Sequence, residues 1–367
     1  MTAEARWRPS RRLFLAAFGA VFVLVTFAYF LPQIADYREV RRVLAGVSWA
    51  WIATLAGVTV LNLLTFAPPW QIALPGLSFR AALLLTQVST ALAMVVPAGA
   101  AVGIASAYGI LRRWGFERRD IGRAVTLVSL WNQFANLSYP VIAVFLLAAF
   151  GGDSPVLATA AFVGAVALGV AIAALAAVLS SRRTATGVGD LLSRIVTSAR
   201  ARIGRPPVLW GGESFGRFRA GAVDLLRRRW HVLTLATYAG TLTVFLVLLA
   251  SLRALEVPGS EVSLVEAFAA WSLARLLGTL PITPGGVGVV ELGLTGALVG
   301  FGGNNAGVVA GVLVYRFLTM IPTIVAGLLA ATTVRGSERS PGSRSRSEAA
   351  SPDPASVVPR PADPPGG

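Results

Sequence analysis

Long apolar runs alternate with short arginine-rich ones along almost the whole chain. The apolar runs cover about residues 13–31, 48–67, 81–111, 124–150, 156–180, 231–252, 262–300 and 305–334. Most approach or exceed the roughly 20 residues a helix needs to cross a hydrocarbon core of about 30 Å. Leu13–Leu31 alone holds 19 residues, about 28 Å as a helix. That exceeds the apolar stretch of an ordinary signal peptide, so it reads as a first spanning helix and not a cleaved leader. The runs 81–111 and 262–300 are too long for one simple crossing, and proline and glycine interrupt both. With 55% hydrophobic and 13% charged residues in 367, the pattern is that of an all-α polytopic membrane protein.

Charge then orients the chain. Arginine supplies all 32 basic residues: four lie in 1–12, five in 112–123, eleven in 182–230 and five in 335–367. Loops on the cytoplasmic side carry such an excess. Placing 112–123 on the same side as the N-terminus requires 81–111 to enter and return as a hairpin, folded at Pro97-Ala98-Gly99. A single straight crossing there would put sixteen arginines of 112–123 and 182–230 on the wrong face. By the same reasoning 262–300 is a hairpin entering from the opposite side. The expectation is about six spanning helices plus two broken-helix hairpins in inverted-topology repeats. Pro97–Val102 can be laid on Pro284–Val289, and paired Pro/Gly interruptions of this kind mark the binding site in transporters built this way. The first repeat falls within 13–180 and the second within 156–334, which includes the basic loop 182–230. Residues 1–12 are expected to be a cytoplasmic basic N-terminus and 335–367 a disordered cytoplasmic tail. Within the loop, Ser214 could cap a helix through Trp230 that lies on an anionic leaflet; a solvated basic loop is the other reading. His231 is expected to begin the next helix.

The chemistry concentrates in the second break, Leu280-Pro-Ile-Thr-Pro-Gly-Gly-Val-Gly-Val-Val-Glu291. Non-helical backbone and unsolvated charge are both costly in lipid and persist mainly where a polar substrate is handled. The candidate binding residues are Arg275, Pro281, Pro284, Gly285, Gly286, Gly288, Glu291 and Arg316. If the helix restarts near Gly286 or Val287, Glu291 lies in its first turns, where the helix dipole favours a carboxylate. It needs a cation, and Arg275 and Arg316 are available. Arginine also matches phosphate oxygens with its planar fork. A structural ion pair is the alternative. Pro284-Gly285-Gly286 would present backbone N–H groups to an anion, or form only a tight turn. In the first half the weaker candidates are Pro97, Gly99, Tyr108, Asn132, Gln133 and Asn136; Gln87, Ser89 and Thr90 add polarity. Ile104 stands at the position matching Glu291. Asn132 and Asn136 share a helix face, where amides otherwise serve as interhelical packing bonds; Asn62 reads as one of these.

Cysteine is absent and His231 is the one histidine, which excludes disulfides, thiolate sites, histidine clusters and histidine-based triads. No phosphate-binding Gly-Lys-Ser/Thr loop is present, so nucleotide hydrolysis is not indicated. No catalytic residue, metal or cofactor is expected.

The run Pro281-x-x-Pro284-Gly-Gly-x-Gly-x-x-Glu291, followed by Tyr315-Arg316, resembles the transmembrane flippase-like domain of lysylphosphatidylglycerol synthases. Pro97 to Gly115 and Trp131-Asn132-Gln133 resemble the first-half motif of its actinobacterial members. The resemblance covers about residues 13–334 and implies movement of a polar-headgroup lipid across the membrane. Residue 334 is followed by a short polar tail, so the aminoacyl-transferase activity of those synthases is not implied. The expected function is translocation of a phospholipid or polyprenyl-phosphate-linked lipid through a midplane site. Glu291 would bind a cationic portion or carry a proton, while Arg275 and Arg316 hold phosphate. A membrane scaffold or regulatory subunit and a polyprenyl-phosphate-dependent transferase are the alternatives. The expected partners are membrane lipids with a phosphate-bearing headgroup, and a second copy of the chain or a separate synthase; nucleic acid is not expected. The expected location is the bacterial cell (inner) membrane, multi-pass, with both termini cytoplasmic.

Overall fold

The computed structural model describes residues 45–96, 99–150, 181–201, 211–279 and 284–336, and a few positions between 163 and 173. The expected helix 13–31, most of 156–180, Pro97, Pro281 and the tail beyond 336 lie outside the described residues. Among the described residues every regular element is helical. They are α1 (Trp49–Thr65), α2 (Pro68–Ala73), α3 (Phe79–Val95), α4 (Gly99–Arg113), α5 (Arg118–Phe150), α6 (Arg182–Ala201), α7 (Gly212–Ala254), α8 (Leu264–Thr279), α9 (Val289–Gly300) and α10 (Asn305–Gly336). Local chemistry sets several starts. Ser48 and Ser78 accept the Trp51 and Ala81 backbone N–H groups, and Pro68 opens α2. Ser263 and Glu266 bond reciprocally to open α8.

Among the described residues, four stretches are long and apolar enough to cross a membrane: Trp49–Ala73, Arg118–Phe150, Arg228–Ala254 and Asn305–Thr332. Their outer faces carry Phe145, Leu235, Leu328 and Leu329, each more than 60% exposed. Apolar surface of this kind is what lipid covers. The chain is therefore an all-α membrane protein.

Both long runs fold as hairpins. A side chain at Gly99 would meet Ala93, and one at Gly103 would meet Ser89. That register, rising on one arm and falling on the other, makes α3 and α4 antiparallel. In the second hairpin Gly278 lies against Val290, and Gly293 against Leu277. The arms have 17, 15, 16 and 12 residues, about 18–25 Å at the helical rise, each short of a full hydrocarbon core.

Helix α10 runs past both hairpins. Next to its first turn, Asn304 bonds to Glu261 at the base of the second hairpin. Midway, Arg316 and Met320 reach the second tip. Further on, Gly327 packs on Gln87 and Ala91, and Ala330 joins Leu77 and Ala82 near the base of the first hairpin. The hairpins thus approach from opposite ends of α10, and their tips meet: Gly285 lies against the backbone of Met94. The packing maps onto itself when the halves are exchanged, since α3 on α10 is answered by α8 on α5, and α4 on α5 by α9 on α10.

One expectation is corrected. Helix α7 runs unbroken for 43 residues, about 65 Å, so His231 lies inside it and Ser214 does not cap it. No proline or glycine separates Arg227–Arg229 from the apolar segment, so nothing stops the helix at that boundary. The segment 214–230 continues the spanning helix instead of lying flat on a leaflet. Helix α6 packs antiparallel on this extension, with Asp190 Oδ1 accepting the Gly212 N–H at 2.7 Å.

Candidate functional site

The second break is built from backbone that glycine allows. Gly285, Gly286 and Gly288 have φ of 62°, 69° and 85°, a region where other residues carry a steric cost. The helix restarts at Val289, two or three residues later than the sequence suggests. Gly288 has no side chain to cap it, so Glu291 reaches back: its Oε2 accepts the Gly288 N–H at 2.7 Å. The positive end of the helix is thereby answered by the chain's own carboxylate.

Glu291 also takes the cation. Arg316 Nε donates to Glu291 Oε1 at 2.7 Å, and Arg316 Nη2 donates to Gly285 O at 2.8 Å. Both residues are 8% exposed. One guanidinium thus ties the broken segment to α10.

Arg275 is held differently. Its Nε and Nη2 both donate to Asn136 Oδ1, at 3.1 and 2.6 Å, across from α5. Its guanidinium lies 5.2 Å from the ring centre of Trp271, one turn earlier on α8. Trp271 is immobilised among Tyr139, Phe245 and Phe268, with centroids 5.1–5.6 Å away. Neither support carries negative charge, and no carboxylate pairs with Arg275 among the described residues.

These groups surround a cavity of about 350 Å³, within the usual size of small-molecule sites. Met94 and Gly285, from the two tips, lie on its wall with Asn136, Arg275, Tyr315 and Arg316. Glu291 sits behind Arg316, so among the described residues the charged lining is two arginines without a carboxylate. A second cavity of about 240 Å³ adjoins it, sharing Phe66, Thr86 and Thr90.

The structure therefore gathers Arg275, Pro284, Gly285, Gly286, Gly288, Glu291, Arg316 and Asn136 around one place, with Asn132 on the adjoining cavity. Tyr108 and Gln133 are exposed and line neither cavity. Gly99 serves the crossing of α3 and α4. Asn62 does bond between helices, to Thr243 Oγ1 at 3.0 Å, and also lines the larger cavity. Sequence reasoning missed Trp271 and the α10 hydroxyls Thr319 and Thr323. The four-residue spacing of Trp271 and Arg275 was an available signal; the threonines gave none.

No curated protein matches the sequence. The model of the family described as the lysylphosphatidylglycerol synthase TM region matches residues 14–327, and the chain belongs to that family.

Proposed function

We propose that this protein moves a polar-headgroup lipid, a phospholipid or polyprenyl-phosphate-linked lipid, across the membrane. The carrying observation is the pair of arginines lining a cavity where two broken hairpins meet, with no carboxylate among the described residues of its wall. Phosphate is the headgroup element that fits two guanidinium forks. Arg275 is the better phosphate ligand, because Arg316 is already committed to Glu291 and Gly285. Glu291 then acts as the brace that holds Arg316 and the helix start, and not as a headgroup ligand. The acyl or prenyl chains would remain in lipid beside the short arms. The two halves would form an inverted-topology repeat, with the arginine-rich ends of α4, α5 and α7 cytoplasmic.

The test is mass spectrometry of lipids retained through purification, comparing wild type with Arg275→Gln. The expected result is one phosphate-bearing class held by the wild type and lost by the variant. Equal amounts of bulk membrane lipid in both would overturn the proposal. A second reading, a docking scaffold, draws on the α6–α7 hairpin that prolongs a spanning helix by several turns. It predicts that removing residues 182–212 abolishes function while Arg275→Gln leaves it intact.

A further inference from the structure

The smaller cavity has a chemistry of its own. Among the described residues its polar lining is Thr65, Thr86, Ser89, Thr90, Ser129, Asn132 and Thr237, and no charged side chain lines it. Hydroxyls on helices ordinarily bond back to a carbonyl three or four residues earlier, as Thr86 and Ser89 do here to Ala82 and Thr86. Thr90, Ser129 and Thr237 do not: none has a side-chain partner among the described residues. Thr237 is 3% exposed, and its Oγ1 is fully buried without a hydrogen bond. Asn132 donates its amide to Val128 O at 2.9 Å and leaves its Oδ1 unused. Three helices, α3, α5 and α7, thus bring unpaired neutral donors and acceptors to one small space.

Resting on the reading above, we infer that the transported headgroup is a phosphate joined to an uncharged, hydroxyl-bearing group, glycerol or a sugar, and that this group occupies the smaller cavity. The alternatives fit less well. An acyl chain there would leave the hydroxyls unpaired, which is unfavourable in a buried site. A second anion would find no cation among the described residues of the wall. An ammonium, as on an aminoacylated headgroup, would find no carboxylate among the described residues of either cavity and would be carried beside Arg275 and Arg316. A polyol both donates and accepts, as threonine, serine and asparagine side chains require. The shared wall of Phe66, Thr86 and Thr90 places its site next to the phosphate site.

The experiment measures binding of short-chain lipids to the purified full chain in neutral detergent by native mass spectrometry. The probes are phosphatidylglycerol, phosphatidylinositol, phosphatidic acid and lysyl-phosphatidylglycerol. Wild type is expected to hold the glycerol or the inositol lipid about tenfold more tightly than phosphatidic acid, the value of one or two neutral hydrogen bonds, and to hold the lysyl lipid most weakly. The better of the two polyols names the source. Ser129→Ala, and separately Thr237→Val, should erase that preference while leaving phosphatidic acid unchanged. Wild type binding phosphatidic acid as well as either polyol lipid, or preferring the lysyl lipid, overturns this inference even where Arg275→Gln weakens every phospholipid. If Arg275→Gln weakens none of them, the phosphate site itself fails and this inference fails with it.

Discussion

Replacing Glu291 by alanine tests whether the second break is held by one ion pair. The substitution removes the acceptor of both Arg316 Nε and the Gly288 N–H, each at 2.7 Å. The guanidinium, with its side chain 10% exposed, keeps only the Gly285 carbonyl among its described partners. Removing one member of a buried pair costs about 3–5 kcal/mol, because the other charge stays behind unpaired. Glu291→Gln keeps an acceptor for the Gly288 N–H and loses the charge-assisted part, about 1.5–3 kcal/mol. The double variant Glu291→Leu, Arg316→Met removes both charges. It leaves the Gly288 N–H and the Gly285 carbonyl without these partners, about 1–3 kcal/mol each, but Glu291→Ala strands the Gly288 N–H together with a buried charge, so the double variant should be the more stable of the two. Reversible unfolding of the full chain in mixed micelles, titrated with an ionic detergent and followed by circular dichroism, reads all four proteins. The double variant should nonetheless retain less lipid than wild type, since it has lost an arginine from the cavity wall. A double-variant cost equal to the summed costs of Glu291→Leu and Arg316→Met, each measured alone in the same way, would refute the pairing argument.

Asn136→Leu removes the hydrogen-bond partner of Arg275; a loss of about 1.5–3 kcal/mol in stability is expected, with weaker lipid retention in the same preparation. Gly288→Ala and Gly285→Ala separate backbone strain from tip contact. Both sit at positive φ and should cost about 1–2 kcal/mol for that reason. Gly285→Ala should cost more, since its new methyl would lie 3.1 Å from the Met94 carbonyl oxygen and 3.2 Å from Met320 Cε, while nothing lies within 4 Å at Gly288; unfolding of both variants checks the difference. Glu261 carries a pH signature. The Asn304 backbone and side-chain N–H groups lower its pKa below the ordinary glutamate value. Its contribution is therefore fully present above the unfolded pKa and is lost as pH falls through the lower folded one. Protection of the Asn304 and Gly307 amides, taken relative to their intrinsic exchange at each pH, should fall across that acidic window in wild type, and Glu261→Gln should flatten the change.

Which parts of this molecule could be read from its sequence follows from what lipid tolerates. A hydrocarbon core penalises broken backbone and bare charge so strongly that Pro97-Ala98-Gly99 and Pro284-Gly285-Gly286 stand out, and Arg275, Glu291 and Arg316, set inside the apolar runs, identify one another. The hairpins and the Glu291–Arg316 pair were legible for that reason. The partner of Arg275 was not: Asn132, Gln133 and Asn136 are similar amides on one helix, and only the packing of α8 on α5, 139 residues apart in sequence, selects the third and turns Gln133 outward. Helix α7 shows a different limit. Arg227–Arg229 marks a change of surroundings, which reads in the sequence as a boundary between one helix ending at Trp230 and another beginning at His231; backbone continuity depended instead on the lack of a breaker between Gly221 and Gly240. The hydroxyls are the deepest case. Thr86 and Thr90 are one helical turn apart and chemically identical, yet one satisfies its own helix and the other does not. That difference exists only in three dimensions, and it is what separates a packing residue from a candidate ligand. If binding follows Thr90, Ser129 and Thr237 while variants at Thr86 change only stability, then headgroup choice in this fold resides in neutral side chains that sequence inspection cannot rank.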